Sequence, residues 1–452
     1  MTALAEPLLA HASRSLPRYT SYPTALAFRP APDDTLMRGW LDAIQPTDAL
    51  SVYVHIPFCE RLCWYCGCHT SVPNGYDRIA AFLNPLAREL DLWVDALPAH
   101  AGAAHIHFGG GSPNSLSRDD FSRLLGSICQ KLTLRPHAEV AVELDPGHLD
   151  RDFACGLGAA GVTRASLGVQ TFDPTVQQLV NRVQPFERVE AAVADIRGGG
   201  VEAINFDMMY GLPGQTPDNV AESLGTALSL APDRVALFGY AHVPWMKKHQ
   251  AMIREDDLAD VAGRWSQAEA AEAVLFAHGY IRIGMDHFAR ASDPMLAQLA
   301  NGGLRRNFQG YTDDPADVLI GLGPSAISAF PQGFCQNASR VDHWASAIDR
   351  GELPVLRQLA TTAEDRLRAA VIERLMCHLE VDLGSVCVEH GRVEGALDEG
   401  LDLARALEAD GLCTVSGRQI QVSGKASRLV RVVAACFDDQ SPSPSRRHSL
   451  AI

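Results

Sequence analysis

The stretch His55-Ile-Pro-Phe-Cys59-Glu-Arg-Leu-Cys63-Trp-Tyr-Cys66-Gly-Cys68-His69 places four cysteines within ten residues, spaced C-x3-C-x2-C-x-C. A thiolate loop this short points its first three sulfurs at a common centre. A cubane [4Fe–4S] cluster usually takes four Cys thiolates. Three ligands leave one iron open, which makes the site a place for chemistry rather than a structural clip. The alternative is a structural zinc site. Zinc knuckles come as two C-x2-C pairs set well apart in the chain, and no second knuckle follows here. The spacing favours iron–sulfur.

Around this loop the chain has the rhythm of an α/β protein. Short apolar runs at 51–55, 105–108, 140–144, 164–169, 204–209 and 235–240 read as strands. Amphipathic stretches at 77–97, 118–132, 151–160, 187–197, 217–230 and 258–278 read as helices. Six βα units in series predict a partial (β/α)6 barrel or parallel sheet with outer helices. The unusual polar residues gather at one end of it. The cysteine loop follows the first strand, and Gly109-Gly110-Gly111-Ser112-Pro113 follows the second. Glu143 and Asp145 end the third, Gln170 ends the fourth, Asp207 lies near the end of the fifth, and Ala241 follows the sixth. C-terminal strand ends are where α/β barrels place their active sites.

The 452 residues allow one large catalytic domain and a smaller one. The expected division is an N-terminal segment over 1–48 covering the active site, the barrel over 49–290, an irregular extension over 291–355 completing the site, and a mostly helical domain over 356–452. Within the last, two short strands around Ser416-Gly417 after helices resemble a winged-helix wing. The Ser/Pro-rich tail over 438–447 is expected to be mobile.

Bulk chemistry narrows the function classes. A net charge of −15 and a pI near 5.5 oppose a generic nucleic-acid binder. No apolar run of membrane-spanning length appears, and the first residues lack the pattern of a signal peptide. Eleven cysteines, four in the loop and the rest scattered, fit a reducing cytoplasm rather than a disulfide framework. The scattered seven (Cys129, Cys155, Cys335, Cys377, Cys387, Cys413, Cys436) read as small buried hydrophobes.

The cysteine loop after the first barrel strand resembles the signature of the radical S-adenosylmethionine (SAM) superfamily. Arg18-Tyr-Thr-Ser-Tyr-Pro-Thr24, Tyr53-Val-His-Ile-Pro-Phe-Cys59, the extra Cys68, Gly284-Met-Asp-His-Phe-Ala289 and Asn307-Phe-Gln-Gly-Tyr-Thr312 resemble the oxygen-independent coproporphyrinogen III oxidase family within it. The resemblance runs from about residue 16 to the C-terminus. It implies a radical-SAM barrel, a [4Fe–4S] cluster on Cys59, Cys63 and Cys66, and two S-adenosylmethionine molecules. Tyr53, Gly110, Glu143 and Ile327 would meet the first molecule. Tyr65, Gly111, Ser112, Gln170, Arg182, Asp207 and Ala241 would meet the second. Tyr53, Glu143 and Cys68 are the catalytic candidates, Cys68 without an assigned step. His287, Arg290, Arg306 and Gln309 are candidates for the substrate's carboxylates or pyrroles.

Read from the residues alone, several of these stay open. Glu143 and Asp145 serve equally as caps before Leu149, Gln170 and Asp207 as partners of strand-end backbone, and Tyr53 as core. The substrate candidates read equally as solvated loop residues. The resemblance further implies conversion of two propionates of coproporphyrinogen III to vinyl groups through a 5′-deoxyadenosyl radical. It implies a cytoplasmic monomer fed by a flavodoxin- or ferredoxin-like electron donor, with no nucleic-acid or membrane partner. The competing readings are a haem-modifying radical enzyme and a haem-binding or delivery protein. The sequence departs from the family pattern at Ser112, Asn114 and His69, where Thr, Thr and Asn are common.

Overall fold

The computed structural model describes residues 6–31, 33–440 and 449–452. Six parallel strands lie side by side in chain order: β1 (Leu50–Ile56), β2 (Ala103–Gly110), β3 (Leu134–Leu144), β4 (Arg164–Gln170), β5 (Ala203–Tyr210) and β6 (Arg234–Gly239). Helices α1 (Asp77–Ala96), α2 (Arg118–Leu132), α3 (Arg151–Ala160), α4 (Phe186–Gly198), α5 (Pro217–Ser229) and α6 (Val261–Ala277) alternate with them. A short helix, Pro174–Leu179, which the periodicity does not signal, precedes α4. Local chemistry sets the helix starts. Ser117, Asp150 and Asp260 accept backbone N–H bonds at the heads of α2, α3 and α6, and Thr216 and Asn219 form a reciprocal capping box at α5.

The strands alternate in a way that parallel sheets covered on both faces do not. Val52, Val54 and Ile56 of β1, Ile106 and Phe108 of β2, and Val140 and Val142 of β3 are buried in the core. Their neighbours are polar: Ser51, Tyr53 and His55; His105 and His107; Glu139 and Glu143. Register stacks Ser51 beside His105 and Glu139, and Tyr53 beside His107. One face of the arc is hydrocarbon against helices, and the concave face is a polar wall.

The expected irregularity of 291–355 is corrected by the structure. Beyond β6 the sheet continues through the short strands β7 (Ile281–Ile283) and β8 (His287–Ala289), β8 pairing antiparallel with β6. At the other edge, β9 (Val318–Leu322) lies parallel to β1, with Ile320 opposite Val52. Antiparallel strands β10 (Ile327–Phe330), β11 (Gly333–Asn337) and β12 (Val355–Ala360) follow. These strands are short and interrupted by glycines, so they carry little period-2 signal. Among the described residues the ladder ends at Arg29–Pro30 on one side and β7 on the other, leaving the barrel partial.

After helix α7 (Val341–Asp349) and β12 comes α8 (Ala363–His378), followed by a three-stranded sheet of Glu380–Asp382, Gln419–Val422 and Cys413–Ser416. The wing expected at Ser416-Gly417 is the antiparallel turn between the last two. The N-terminal motif ties this region to the barrel: Tyr19 and Tyr22 donate to Asp438 and Asp439, while Arg18 donates to Gly239 O at 2.9 Å. Of the Ser/Pro-rich tail, 441–447 lie outside the described residues, and Asp438 and Asp439 are held by these tyrosines. Among the scattered cysteines, Cys335, Cys377, Cys387 and Cys413 are buried as expected; Cys129 and Cys436 are half-buried, and Cys155 is exposed. Among the described residues no helix is long and apolar enough to cross a membrane.

One buried carboxylate fastens the floor of the arc. Glu89 of α1 accepts from Gly323 N (2.7 Å), Asn337 Nδ2 (2.7 Å) and Trp344 Nε1 (3.0 Å), joining α1 to the end of β9, to β11 and to α7. Burial pushes its carboxyl up to about 8 against these three donors. A raised folded-state value means the carboxyl's contribution is complete below the usual carboxylate range and is lost as pH rises through about 8. Glu89→Gln turns one acceptor into a donor facing other donors, at a cost of about 1–3 kcal/mol. Thermal unfolding should show a lower Tm for the variant, with the gap to wild type narrowing as pH rises from the usual carboxylate range to about 8. An equal Tm at pH 6 would contradict the clamp.

Candidate active site

The cysteine loop leaves β1 without regular structure, so its backbone needs partners from elsewhere. Cys59 N donates to Ser71 O (3.0 Å) and Ser71 N to Pro57 O (2.9 Å), closing the loop's neck. Its carbonyls take side chains from distant segments. Asn181 Nδ2 reaches Leu62 O (2.8 Å), Gln250 Nε2 reaches Tyr65 O (2.9 Å), His249 Nε2 reaches Cys66 O (2.8 Å) and Lys247 Nζ reaches Cys68 O (3.0 Å).

Each of the three expected ligand sulfurs also has a donor. Thr70 Oγ1 lies 3.0 Å from Cys59 Sγ, Arg182 Nη1 3.5 Å from Cys63 Sγ, and the Cys68 backbone N 3.4 Å from Cys66 Sγ. Hydrogen bonds to thiolate sulfur are one of the levers a protein has on an iron–sulfur cluster. Burial pushes the Cys59 thiol up to about 12, whereas its hydrogen bond with Cys68 draws the Cys66 thiol down. Among the described residues no three His, Cys, Asp or Glu side chains close on a single ion. Instead Cys59, Cys63 and Cys66 line a cavity of about 160 Å³ together with Glu143, Arg182 and Asp207. Arg182 Nε is buried there without a partner. The residues fit a multi-iron cluster with a polar ligand beside it.

Glu143 is the centre of the polar wall. His107 Nε2 sits 2.9 Å from its Oε1, and Gly110 N donates to Oε2 at 3.4 Å. Burial works against its charge, but His107, the Gly110 amide and His55 outweigh it and hold the carboxyl below its usual value. Glu143 stays an anion facing the cavity. Next to it His55 Nε2 meets the His69 carbonyl (2.8 Å), which can only accept, so the ring hydrogen is on Nε2. Burial lowers His55 to about 4, leaving it neutral. Its Nδ1 is therefore the acceptor for the Tyr53 hydroxyl at 3.0 Å.

The Gly109–Gly111 run is needed for this packing. A Cβ on Gly110, whose φ is +103°, would lie 2.4 Å from the His55 ring, and one on Gly109 would lie 2.8 Å from the Glu143 carboxyl. The glycines make room for the wall itself.

The Arg182 side chain has the shape to fork onto a ligand carboxylate. Its guanidinium is held instead by Asp145 (Nη2–Oδ1 3.0 Å, Nη1–Oδ2 3.4 Å) and by the Gly168 carbonyl (2.5 Å). Asp145 also caps the turn at Gly147 N (3.0 Å). The departures Ser112 and Asn114 work together here: Ser112 Oγ donates to Asn114 Oδ1 (2.6 Å), and both receive the Asp145 amide. Asp207 hangs into the same cavity, its carboxyl raised to about 7 by burial and by Glu143, with Arg182 opposing.

The structure brings most of the predicted residues together. Tyr65, Gly110, Gly111, Ser112, Glu143, Gln170, Arg182 and Asp207 line the cysteine cavity. A second cavity of about 430 Å³ shares Cys68, Gly110 and Glu143 with it and adds Tyr53, Gln309 and Ile327. A third, of about 460 Å³, shares Phe308 and Leu319 with the second and carries Arg305, Arg306 and Arg366 among aromatic walls. Arg306 stacks 4.5 Å over the Tyr311 ring, with Nε and Nη1 buried and unpartnered.

Three expectations are not gathered in. Ala241 lies just beyond β6, partly exposed. His287 is bonded to Asp286 (2.8 Å) and set against Phe238 and Tyr311. Arg290 bonds Asp233 O through its backbone (3.0 Å) at the N-terminal end of β6, the opposite end from the cysteines. His55, His107 and Thr70 are not among the site residues read from the sequence; for His55 and His107, polar residues at alternate positions of a parallel strand were the available signal, whereas Thr70 lies in the loop and carries none.

The model of the radical SAM superfamily matches residues 53–227. The oxygen-independent coproporphyrinogen III oxidase of Bradyrhizobium diazoefficiens is 42% identical over 444 residues, covering 98% of this chain and 99% of its own. That of Paracoccus denitrificans is 41% identical over 437 residues, covering 97% and 96%. The solved structure of coproporphyrinogen III oxidase from Escherichia coli, described as a radical SAM enzyme, superposes with a TM-score of 0.89 at 34% identity, over 94% of this chain and 100% of that one. This chain is a member of the oxygen-independent coproporphyrinogen III oxidase family of the radical SAM superfamily.

Proposed function

We propose that this chain converts two propionate side chains of coproporphyrinogen III to vinyl groups without oxygen, giving protoporphyrinogen IX. Each propionate gives up one hydrogen atom, one electron and CO2. The observation that carries the reading is the run of three cavities, from the cysteine sulfurs through Cys68 and Glu143 to the arginines around Phe308. It is suited to a bulky polycarboxylate held beside a reactive centre. The cluster and S-adenosylmethionine, when bound, supply the 5′-deoxyadenosyl radical that takes the hydrogen atom.

Cys59, Cys63 and Cys66 would hold the cluster. Glu143, kept anionic, would receive the ammonium group of one S-adenosylmethionine, with Tyr53, Gly110 and Ile327 beside it. Tyr65, Gly111, Ser112, Gln170, Asp207 and Ala241 would serve a second molecule, Arg182 and Asp145 stiffening that wall. Arg306 is the candidate for a substrate carboxylate, with Gln309 nearer the cysteines. Tyr19 and Tyr22, lining the third cavity, let the N-terminal segment cover it. Such an enzyme would work in the cytoplasm as a monomer, taking electrons from a flavodoxin- or ferredoxin-like protein.

The test is anaerobic reconstitution followed by incubation with coproporphyrinogen III, S-adenosylmethionine and dithionite. Protoporphyrinogen IX and 5′-deoxyadenosine should accumulate; stoichiometric haem uptake with neither product would refute the oxidase reading. Cys63→Ala should lose both the cluster's visible absorbance and vinyl formation. Arg306→Gln should raise KM about 10- to 100-fold, the worth of one charge-assisted hydrogen bond of about 1.5–3 kcal/mol, with a smaller change in kcat. An unchanged KM would remove Arg306 from the substrate site.

A further inference from the structure

The loop between β6 and α6 has two sides with different chemistry. Inward, Lys247, His249 and Gln250 hold the carbonyls of the cysteine loop. Outward, Trp245, Met246 and Met252 expose 50%, 56% and 62% of their surface. Lys248 is also exposed and makes no ion pair among the described residues. The other flank of the cysteine loop is similar. Leu179 and Val183 are exposed, and Arg61 and Asn181 fasten that segment to the loop through Val183 O (2.9 Å) and Leu62 O (2.8 Å). Both flanks rest on one buried cluster of Val176, Val180, Leu212, Tyr240 and Ile253, with Trp64 and Tyr65 packed onto it. The outward face of the cysteine loop thus lies inside an apolar rim.

The charge on this rim is unusual for the chain. The sequence has four lysines, Lys131, Lys247, Lys248 and Lys425, and every other cation is an arginine. Two of the four are adjacent here, in a protein of net charge −15. Of the acidic run that follows, Asp256 and Asp257 face Arg254 (3.8 and 4.0 Å), and Glu255 lies 3.7 Å from His242, whose protonation burial disfavours. An ammonium is a mobile, strongly hydrated point charge, suited to brief encounters rather than fixed bidentate pairs. Contacts that pass electrons are small and transient, and exposed Met and aromatic side chains suit re-packable surfaces. A net acidic protein repels an acidic partner at long range, and a local cation pair reverses this only within about 8 Å, the screening length at physiological salt.

We infer that Trp245, Met246, Lys248 and Met252 form the docking surface for a small acidic one-electron carrier protein, which delivers its electron across the cysteine loop, with Lys247 tying that surface to the loop at Cys68 O. The inference rests on the radical SAM reading of the site. The test compares two reductants on the reconstituted full-length protein, following bleaching of the cluster absorbance after rapid mixing. With photoreduced flavodoxin of net negative charge, Lys248→Glu should lower the second-order rate constant about tenfold and flatten its fall with added salt. Lys248→Gln should lower it about threefold. With dithionite, which needs no docking, both variants should match wild type in bleaching rate and in product formed. An unchanged flavodoxin rate overturns the proposal. So does an equal loss with both reductants, which would mean that the substitution disturbs the cluster itself. A wild-type chain that takes no electron from dithionite refutes the functional reading, and the docking surface with it.

Discussion

An irregular loop with inward-facing carbonyls cannot hold its own shape, and everything at this site depends on how that problem is met. The loop from Cys59 to His69 has no helix or ladder to satisfy it. Its carbonyls at Leu62, Tyr65, Cys66 and Cys68 are each capped by a side chain more than a hundred residues further along the chain. The sulfurs are likewise steadied by Thr70, Arg182 and a backbone amide. A buried carbonyl left unpaired costs about as much as a lost hydrogen bond, so each distant partner both stabilises the loop and selects one conformation of it. The βα scaffold matters because it brings the segments after β4 and β6 to the same rim as the segment after β1.

The same scaffold solves a second problem, that of lining a cavity with polar groups without unravelling the core. Alternation along β1 to β5 sends hydrocarbon outward to the helices and Tyr53, His107, Glu143 and Asp207 inward. Several of the cavity's polar groups then have a neighbour of fitting chemistry: His107 for Glu143, His55 for Tyr53, Asp145 for Arg182. Glu143 and Asp207 share one cavity with opposite tendencies, the first held anionic by its donors and the second made harder to ionise by burial and by that anion.

Much of this was legible in the sequence because periodicity encodes it. The strand read at 204–209 is Ala203–Tyr210, and the helix read at 118–132 is Arg118–Leu132. The stretch 291–355 carried little alternation to read because its strands are short and interrupted by glycines. Gly321 sits within β9, where a Cβ would press 2.7 Å from Ile327 O, and Gly323 at its end, where a Cβ would lie 2.5 Å from His55 O. They mark close backbone approach beside the site. Pairings such as Arg182 with Asp145 depend on register across strands, which no local pattern carries. Ala241 and Ile327 had no chemical signal of their own and came from the family resemblance alone; Ile327 lines the second cavity, whereas Ala241 does not join it.

The neutral His55 ring gives the neighbouring phenol a direction. With its Nε2 hydrogen committed to His69 O, His55 can only receive from Tyr53. Tyr53 therefore meets the second cavity with its ring and its oxygen lone pairs, as an acceptor. The phenolic hydrogen, among the most weakly held in that wall, is turned into the protein and away from any carbon-centred oxidant that the cavity would hold.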